Sequence, residues 1–321
     1  MSQSASQTPA KILHMSEAQA IACGINGPDV RAVRRETIKR RSSLSYEEFT
    51  REYRDPRIPV IITDAIKDWQ AVSKWSPEYF QQHYYSTKVT VEGRYSTRDQ
   101  PQRCLGEMID AILKSSPSAP APYLRNQNLI DLHPELRADM LPIPIYAFPN
   151  WLDGPFSRKL DSRFHRGEPE LQISGAGAAF PSMHYDYGLI HSFLAQIYGQ
   201  KRVQVLSPSQ SQCIYPLTGE NHHGSSIPDI DHVDLDRFPL FAHASLEIAD
   251  LEPGDTLFVP AGWWHTTRSW STSITASFNF ANACNWSDII KECGHLVPFF
   301  PKLRFQTYLI LLKVFRLALG R

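Results

Sequence analysis

The sequence carries no surplus of charge: 33 Lys and Arg balance 33 Asp and Glu over 321 residues. A chain with that balance has no global attraction for nucleic acid or anionic lipid, and only a local patch could supply one. Cysteine is scarce and scattered. The five present (Cys23, Cys104, Cys213, Cys284 and Cys293) form no CxxC pair, which argues against both a zinc finger and a disulfide framework. No run approaches the roughly 20 apolar residues that a membrane helix needs. The opening MSQSASQTPAKILH lacks a basic stretch followed by an apolar one, so no secretory leader is expected. With 42% hydrophobic and 21% charged residues the composition is that of a globular protein, long enough for one large domain or two ordinary ones. Together these features predict a soluble, cytoplasmic protein.

What is present points to strands. Twenty-four prolines outnumber sixteen glycines, and short β-branched runs recur between them. That is the pattern of strands joined by rigid turns rather than of a helix bundle. The first ten residues are rich in Ser and Gln and are expected to be mobile. SYEEFTREY, from Ser45 to Tyr53, opens with an N-cap serine and a glutamate three residues on, which predicts a helix start. IPVIITDAI reads as a short buried strand, Pro77–Tyr84 as a helix, and KVTVEG as a strand. Leu105–Leu113 reads as a helix and the Ser/Pro/Ala tract up to Pro122 as a loop. After Glu168 the pattern changes. ELQISG, HSFLAQIYG, KRVQVLSP, SLEIADL, DTLFVPA and SITASFNFAN follow one another, separated by turn signals such as Gly199-Gln200, Ser207-Pro208 and Pro253-Gly254-Asp255. Short strands at this spacing predict a β-sandwich or jelly-roll barrel. From Ser287 the pattern turns helical again, so the expected fold is mainly β with flanking helices.

One short motif carries chemistry. MHYDYG places His184 and Asp186 two residues apart, and residues i and i+2 of a strand share a face, so an imidazole and a carboxylate can converge on one ion. His265 in VPAGWWHTTRS, at the end of a strand entered by the PGD turn, is a candidate third ligand. Two histidines and one carboxylate leave three positions of a metal open, an arrangement that suits non-haem Fe(II). A lone H-x-D is a weak signal, because most such pairs are hydrogen-bonded surface groups. Among twelve histidines, spacing alone does not select His265 over His243 or His232. Nor does it set aside His222 and His223, which lie in a Gly/Ser/Asn-rich loop and are expected to face solvent. Lys201, near the turn into a following strand, is placed to meet the far carboxylate of a dicarboxylic cosubstrate as a point charge. Without the metal motif it reads as a surface lysine beside Arg202.

Other features have plainer readings. VRAVRRETIKRR (30–41) carries six basic residues and one glutamate and reads as a solvated helix face rather than a nucleic-acid patch. Trp263 and Trp264 should point to opposite faces of their strand, one into the core and one to a cavity wall or interface. Residues 219–236 read as a surface loop shaping a substrate entrance, since their histidines and aspartates lack the spacing of a second metal site. The last helix, with Leu309, Leu312, Phe315 and Leu319 among basic residues, is amphipathic.

Several phrases in order carry a resemblance. LQISGAGAAFPSMHYD, FLAQIYGQKRVQVLSP, VDLDRFPLF, LEPGDTLFVPAGWWHTTRS and SITASFNFAN make Glu170 to Asn282 resemble the catalytic part of the Jumonji-C, cupin-like 2-oxoglutarate oxygenases. The likeness is to their hydroxylase branch, which includes the asparaginyl hydroxylase acting on hypoxia-inducible factor. LSYEEFTREYRDPRIPVIITDAIKDWQAVSKWSPEYF resembles the leader of these enzymes. The resemblance implies a double-stranded β-helix with Fe(II) on His184, Asp186 and His265. It also implies 2-oxoglutarate as cosubstrate, its far carboxylate on Lys201 with help from Tyr123. Two positions depart from relatives: Ser192 stands where they often carry asparagine, and Ser277 where some have asparagine or threonine facing the cosubstrate. The segment between Asp186 and Lys201 is also longer than in the asparaginyl hydroxylase. Three parts are implied: an N-terminal extension 1–34, partly disordered, an oxygenase domain 35–285, and a helical segment 286–321. The last is expected to pair two copies, since related hydroxylases often dimerise through C-terminal helices.

The implied reaction couples O₂ to decarboxylation of 2-oxoglutarate, releases succinate and CO₂, and hydroxylates a substrate C–H bond. Iron and cosubstrate carry the hard step, and the protein positions the reactants and excludes water. A protein side chain or peptide is the expected substrate, and a small molecule or natural product is the alternative. Nucleic acid and membrane are not expected, and no reader or zinc module of a chromatin-targeted demethylase is visible. A cupin-fold binding protein without turnover, or a cupin using its metal without 2-oxoglutarate, are the competing classes. Lys201 and Tyr123 discriminate, because neither class needs a clamp for a dicarboxylate.

Overall fold

The computed structural model describes residues 33–90, 102–127, 129–153 and 169–293. The expectations for the first ten residues, for most of the extension 1–34 and for the helix beyond Cys293 lie outside the described residues. In chain order the strands are β1 (Arg34–Thr37), β2 (Arg40–Arg41), β3 (Val60–Ile62), β4 (Lys88–Thr90), β5 (Gln102–Cys104) and β6 (Leu124–Gln127). They continue with β7 (Glu170–Ser174), β8 (His191–Tyr198), β9 (Lys201–Leu206) and β10 (Ser245–Leu251). The last three are β11 (Thr256–Val259), β12 (Trp264–Ser269) and β13 (Ser273–Phe280). A major sheet runs β2-β3-β11-β8-β13-β7-β6 and a minor sheet β1-β10-β9-β12, while β4 and β5 form a separate ribbon. Leu194, Leu257 and Val259 of the major sheet pack against Val203, Val205, Ala249 and Leu251 of the minor one, so the two sheets face each other. The chain is a jelly-roll, mainly β with flanking helices.

The polarity of the central strands is inverted relative to a simple sandwich. In β8, Phe193, Ala195 and Ile197 join the core under the N-terminal helices, and β13 contributes Ile274, Ala276, Phe278 and Phe280 to the same core. The alternate residues, Ser192, Leu194 and Gln196 in β8 and Thr275, Ser277 and Asn279 in β13, therefore face the space between the sheets. Both faces are covered, which is why these strands read as nearly continuous buried runs. Polar side chains collected inside a barrel are costly unless they are bonded or bind something.

The helices cover the outer face of the major sheet, as their sequence signals predict. Ser45 and Glu48 form a reciprocal cap at the start of the helix Tyr46–Phe49, which continues as a wider turn to Arg54. Its Phe49 meets Phe258 (ring centroids 5.0 Å) and Phe193 (5.9 Å). The helix Pro77–Tyr84 starts at Ser76, whose hydroxyl accepts from Tyr79 N. Leu105, Met108, Ile109 and Ile112 line the buried side of the helix Leu105–Leu113. Gly199 sits at φ +69° in the turn that leads from β8 to Lys201, and a Cβ there would lie 1.8 Å from Thr272 O. That turn needs glycine on both counts.

Three expectations are corrected. The basic run is no helix face: Arg34–Thr37 is an exposed edge strand running parallel to β10, from Arg34 opposite Ser245 to Thr37 opposite Ile248. Charged side chains suit such an edge, where they discourage further pairing. Residues 219–236 are not only a surface loop, since Ile227 and Ile230 are buried with Leu206, Phe238, Leu246 and Trp264 against the outer side of the minor sheet. His265 does not end the strand entered by the PGD turn. That strand is β11, and His265 lies in the next one, β12. Trp263 and Trp264 do take opposite sides, the first between the sheets and the second in the outer core.

Candidate metal centre

The segment 177–184 runs antiparallel along β12. Gly177 N bonds Ser269 O (2.8 Å), Phe180 N bonds Thr267 O (2.8 Å), and His184 and His265 exchange both backbone hydrogen bonds (3.0 and 2.6 Å). From Phe180 to His184 the chain advances four residues while β12 advances two, so Pro181, Ser182 and Met183 bulge out. A bulge re-aims the side chain that follows it. On the other edge Tyr185 N bonds His223 O (3.0 Å) and Ser225 N bonds Met183 O (2.8 Å). The backbone of the first histidine is thus held from both sides, though by isolated bridges rather than in the regular strand that the H-x-D spacing suggested. Asp186 follows at the start of a turn closed by Leu189 N to Asp186 O (3.1 Å).

His184, Asp186 and His265 each offer a ligand atom, and these atoms all lie within 4.8 Å of one another. His265 Nε2 is 3.8 Å from Asp186 Oδ1. Both imidazoles are aimed by the backbone: His184 Nδ1 donates to Ser182 O (3.1 Å) and His265 Nδ1 to Trp263 O (3.1 Å). With Nδ1 carrying the proton, the Nε2 lone pairs point at the common centre, as metal-binding histidines require. Phe180 stacks on the His184 ring (4.6 Å, 13°). Burial, and then the nearby His265, push the His184 imidazole well below its ordinary value, so it is neutral. Burial also pushes the Asp186 carboxyl up, against the pull of His265 and with Glu170 adding to the rise. A cation at the centre would relieve that cost while accepting two neutral imidazoles and one carboxylate. The donor set fits a non-haem divalent iron with open positions.

A second polar cluster occupies the other end of the same interior. Lys201 is fully buried, with 0% exposure, which overturns the surface-lysine reading. Its ammonium donates to Tyr123 Oη (2.9 Å) and Thr275 Oγ1 (2.6 Å). Tyr123 in turn donates to Gln172 Oε1 (2.8 Å), and Thr275 to Gln196 Oε1 (2.9 Å). Among the described residues no carboxylate bonds this cation, and burial pulls its pKa down to about 7. Lys201 lies opposite Ser269, and His265 opposite Val205, so the two ends stand four residues apart along the sheet, or about 13 Å. Lysine side chain and a short dicarboxylate can share that span.

The interior therefore gathers His184, Asp186, His265, Lys201 and Tyr123. Ser192 (2% exposed) faces the same interior from β8, opposite Asn279, and Ser277 faces it from β13, opposite Leu194. Thr275, one strand repeat before Ser277, is the residue that touches Lys201. Thr275, Gln172 and Gln196 were missed as site residues. The available signal was alternation: each is a polar residue on the inward face of a strand whose other face is apolar. The competing histidines stay outside the centre. His232 bonds Asp229 on the surface (3.0 Å), and His222 is half-buried against Glu292 (2.5 Å) rather than facing solvent. Arg268 engages both Asp229 and Asp231, and among the described residues the stretch 219–236 forms no group able to hold a second metal.

Residues 46–286 match the sequence model of the cupin-like domain family. Among similar proteins is lysine-specific demethylase 8 of Xenopus tropicalis, 31% identical over 242 residues that cover 73% of this chain and 50% of that protein. Another is lysine-specific demethylase JMJ30 of Arabidopsis thaliana, 31% identical over 252 residues, 76% of this chain and 55% of that one. The tRNA wybutosine-synthesizing protein 5 of Gallus gallus is 36% identical over a shorter 123 residues, 38% of this chain and 35% of that protein. The chain spans about half the length of the curated relatives it matches over most of its own length. Among the described residues no helix is long and apolar enough to cross a membrane.

Proposed function

The chain belongs to the cupin-like family, and on that premise we propose that it is an Fe(II)- and 2-oxoglutarate-dependent oxygenase acting on a C–H bond of a protein side chain or peptide. One observation carries the reading: a two-histidine, one-carboxylate group and a buried lysine that no carboxylate among the described residues bonds line one interior. Lys201 separates this reading from a binding protein, because a buried ammonium bonded only to neutral oxygens serves no structural need.

Bound iron and 2-oxoglutarate would activate O₂, which supplies the oxidising power. The chain's own residues do the rest. His184 and His265 present Nε2 with Nδ1 tied back to carbonyls, and Asp186 supplies the charge. Lys201, Tyr123 and Thr275 form the cradle for the far carboxylate of the cosubstrate. Leu194, Val203, Val205 and Val259 wall the interior against water. Access is from the Asp186 side, where the side chain is 22% exposed against 7% for His265.

Protein as substrate is supported by the relatives named lysine-specific demethylases, whose names describe those proteins. Hydroxylation and demethylation share the attack on a C–H bond. When that carbon is a methyl on nitrogen the product loses formaldehyde, so the presented carbon decides the outcome. We propose hydroxylation for this chain, residues 35–285 as its catalytic unit, and pairing of two copies through the C-terminal segment. The test follows visible absorbance of the Fe(II)-loaded protein as 2-oxoglutarate is added without oxygen, then succinate in air. The expected result is an absorbance rise and slow succinate release, both lost in Lys201→Met. Neither signal despite bound metal would sink the oxygenase reading. Incubation with protein or peptide substrates then separates a gain of one oxygen from a loss of methyl by mass.

A further inference from the structure

Tyr185 stands between the first two ligands, and its side chain turns away from the metal site. Its ring meets Trp264, neighbour of the third ligand, edge-on (centroids 4.9 Å, planes at 89°). Its hydroxyl donates to Glu292 Oε1 at 3.2 Å, across 107 residues of sequence. Glu292 belongs to the helix Trp286–Cys293. The same oxygen accepts a second hydrogen bond, from His222 Nε2 at 2.5 Å. His222 Nδ1 faces Gly219 O at 2.9 Å, so both ring nitrogens meet acceptors, and only an imidazolium donates from both. One carboxylate thus gathers the ligand-bearing segment, the loop beside it and the helix behind it.

The need for such a tie is local. His184 is pinned by backbone bonds on both edges, and the last of these is Tyr185 N to His223 O. Asp186 lies beyond them, where the chain enters left-handed conformations at Gly188 (φ 82°) and Leu189 (φ 54°). Tyr185 and Tyr187 flank the carboxylate ligand, the second with its ring on His223 (centroids 5.7 Å), and Glu292 holds the far end of the first. The helix also has an independent tether, Asp288 to Arg57, that touches none of these groups.

We propose that Glu292 is a positioning residue for the metal centre, which holds the His184-x-Asp186 pair in ligand geometry by fixing Tyr185 and His222 together. The proposal rests on the oxygenase reading only in taking the triad as a metal site. The test titrates the metal-free full chain with Co(II), followed by visible absorbance, and records thermal unfolding in parallel. Glu292→Ala should bind Co(II) about 3- to 10-fold more weakly, somewhat less than the loss seen when a direct partner of a ligand is removed. Tyr185→Phe, which removes one oxygen, should reproduce most of that loss, and the double variant should add little to it. Asp288→Ala removes the other tether and should lower the unfolding midpoint while keeping Co(II) affinity within about twofold of the parent, as expected for a site it does not touch. A merely structural helix would make Asp288→Ala and Glu292→Ala equivalent in both readouts, and that result overturns the proposal. So does unchanged Co(II) affinity in folded Glu292→Ala or, should that variant not fold, in Tyr185→Phe. Parent protein that takes no Co(II) overturns this proposal and the oxygenase reading together, whereas a parent that binds Co(II) beside a folded Glu292→Ala of unchanged affinity overturns this proposal alone.

Discussion

The metal end and the lysine end of one interior hold their polar groups by opposite means. At the metal end, backbone does the aiming: both ligand histidines give Nδ1–H to carbonyls, and their own backbones are paired to each other. At the lysine end, side chains do it: a tyrosine, a threonine and two glutamines form a chain of hydroxyls and amides around a buried ammonium. Among the described residues neither Asp186 nor Lys201 is bonded to a permanent counter-charge. Asp186 is pushed towards its protonated form by burial, and Lys201 towards its neutral form. Each end is thus built at a cost to the empty protein that a ligand of opposite sign removes. The difference lies in what a single substitution can disturb, because the backbone aiming of the two histidines survives the loss of a neighbour and the side-chain relay around Lys201 does not.

The largest effect should come from breaking the metal end at its one charge. Asp186→Ala should weaken Co(II) binding by at least about 100-fold, the upper range even for indirect partners of a ligand. The midpoint of the metal-free protein should not fall, since a desolvated carboxylate is gone. Retained Co(II) affinity in an absorbance titration would refute the triad.

Next comes Lys201→Met, which should weaken 2-oxoglutarate by about 100-fold, in line with truncating one partner of a buried charge pair. Co(II) affinity should stay unchanged, and calorimetry on the Co(II)-loaded protein reads both. The same variant sharpens the cost argument. The folded pKa of about 7 lies below the unfolded value of 10.5. Between those values the unfolded chain binds the extra proton, so the penalty of burying Lys201 is full below pH 7 and fades as pH rises to 10.5. The metal-free variant should therefore be more stable than the parent by about 2 kcal/mol at pH 7, and by progressively less towards pH 10. Urea unfolding at several pH values checks this, and a less stable variant at pH 7 would contradict it.

The same group predicts a smaller, pH-linked effect. Above pH 7 the free protein must take up a proton at Lys201 to meet a dicarboxylate, so 2-oxoglutarate affinity should fall about tenfold per pH unit there. Binding heats at pH 8.5 in buffers of different ionisation enthalpy should reveal uptake approaching one proton, and no buffer dependence would place the ligand elsewhere. Smallest is the relay itself. Thr275→Val removes one hydrogen bond to Lys201 and should cost about 3- to 10-fold in 2-oxoglutarate affinity. Ser277→Ala should cost less than Thr275→Val, and the reverse order would mean that the cosubstrate lies nearer the metal-side residues of β13.

Much of this was legible in the chain. The Ser45 cap, the proline-led helix at Pro77 and the apolar spacing of Leu105–Leu113 fix those helices through contacts within a few residues. The strands after Glu168 announce themselves by length and by turn residues such as Gly199, whose backbone admits no side chain. The triad and Lys201 could be named from an ordered set of motifs. The misreading of the basic run has a long-range cause. The basic run is a strand because β10 lies beside it, and the partner is some 200 residues away, beyond any local propensity.

The sequence by itself determined most of the element types from Ser45 onward and named the candidate ligands and Lys201, because each depends on residue identity, short spacing and ordered motifs. Tertiary structure alone decided which face of each strand is the inside. In β8 and β13 both faces are buried, so alternation marks two sides without saying which holds the site, and only the packing of helices on one side assigns the other to Thr275, Gln196 and Lys201. It alone paired the backbone of His265 with that of His184 across the sheet, a pairing that spacing among twelve histidines does not show. And it alone brought Glu292 to Tyr185, since a side-chain contact over 107 residues is written in the fold and not in any stretch of the chain.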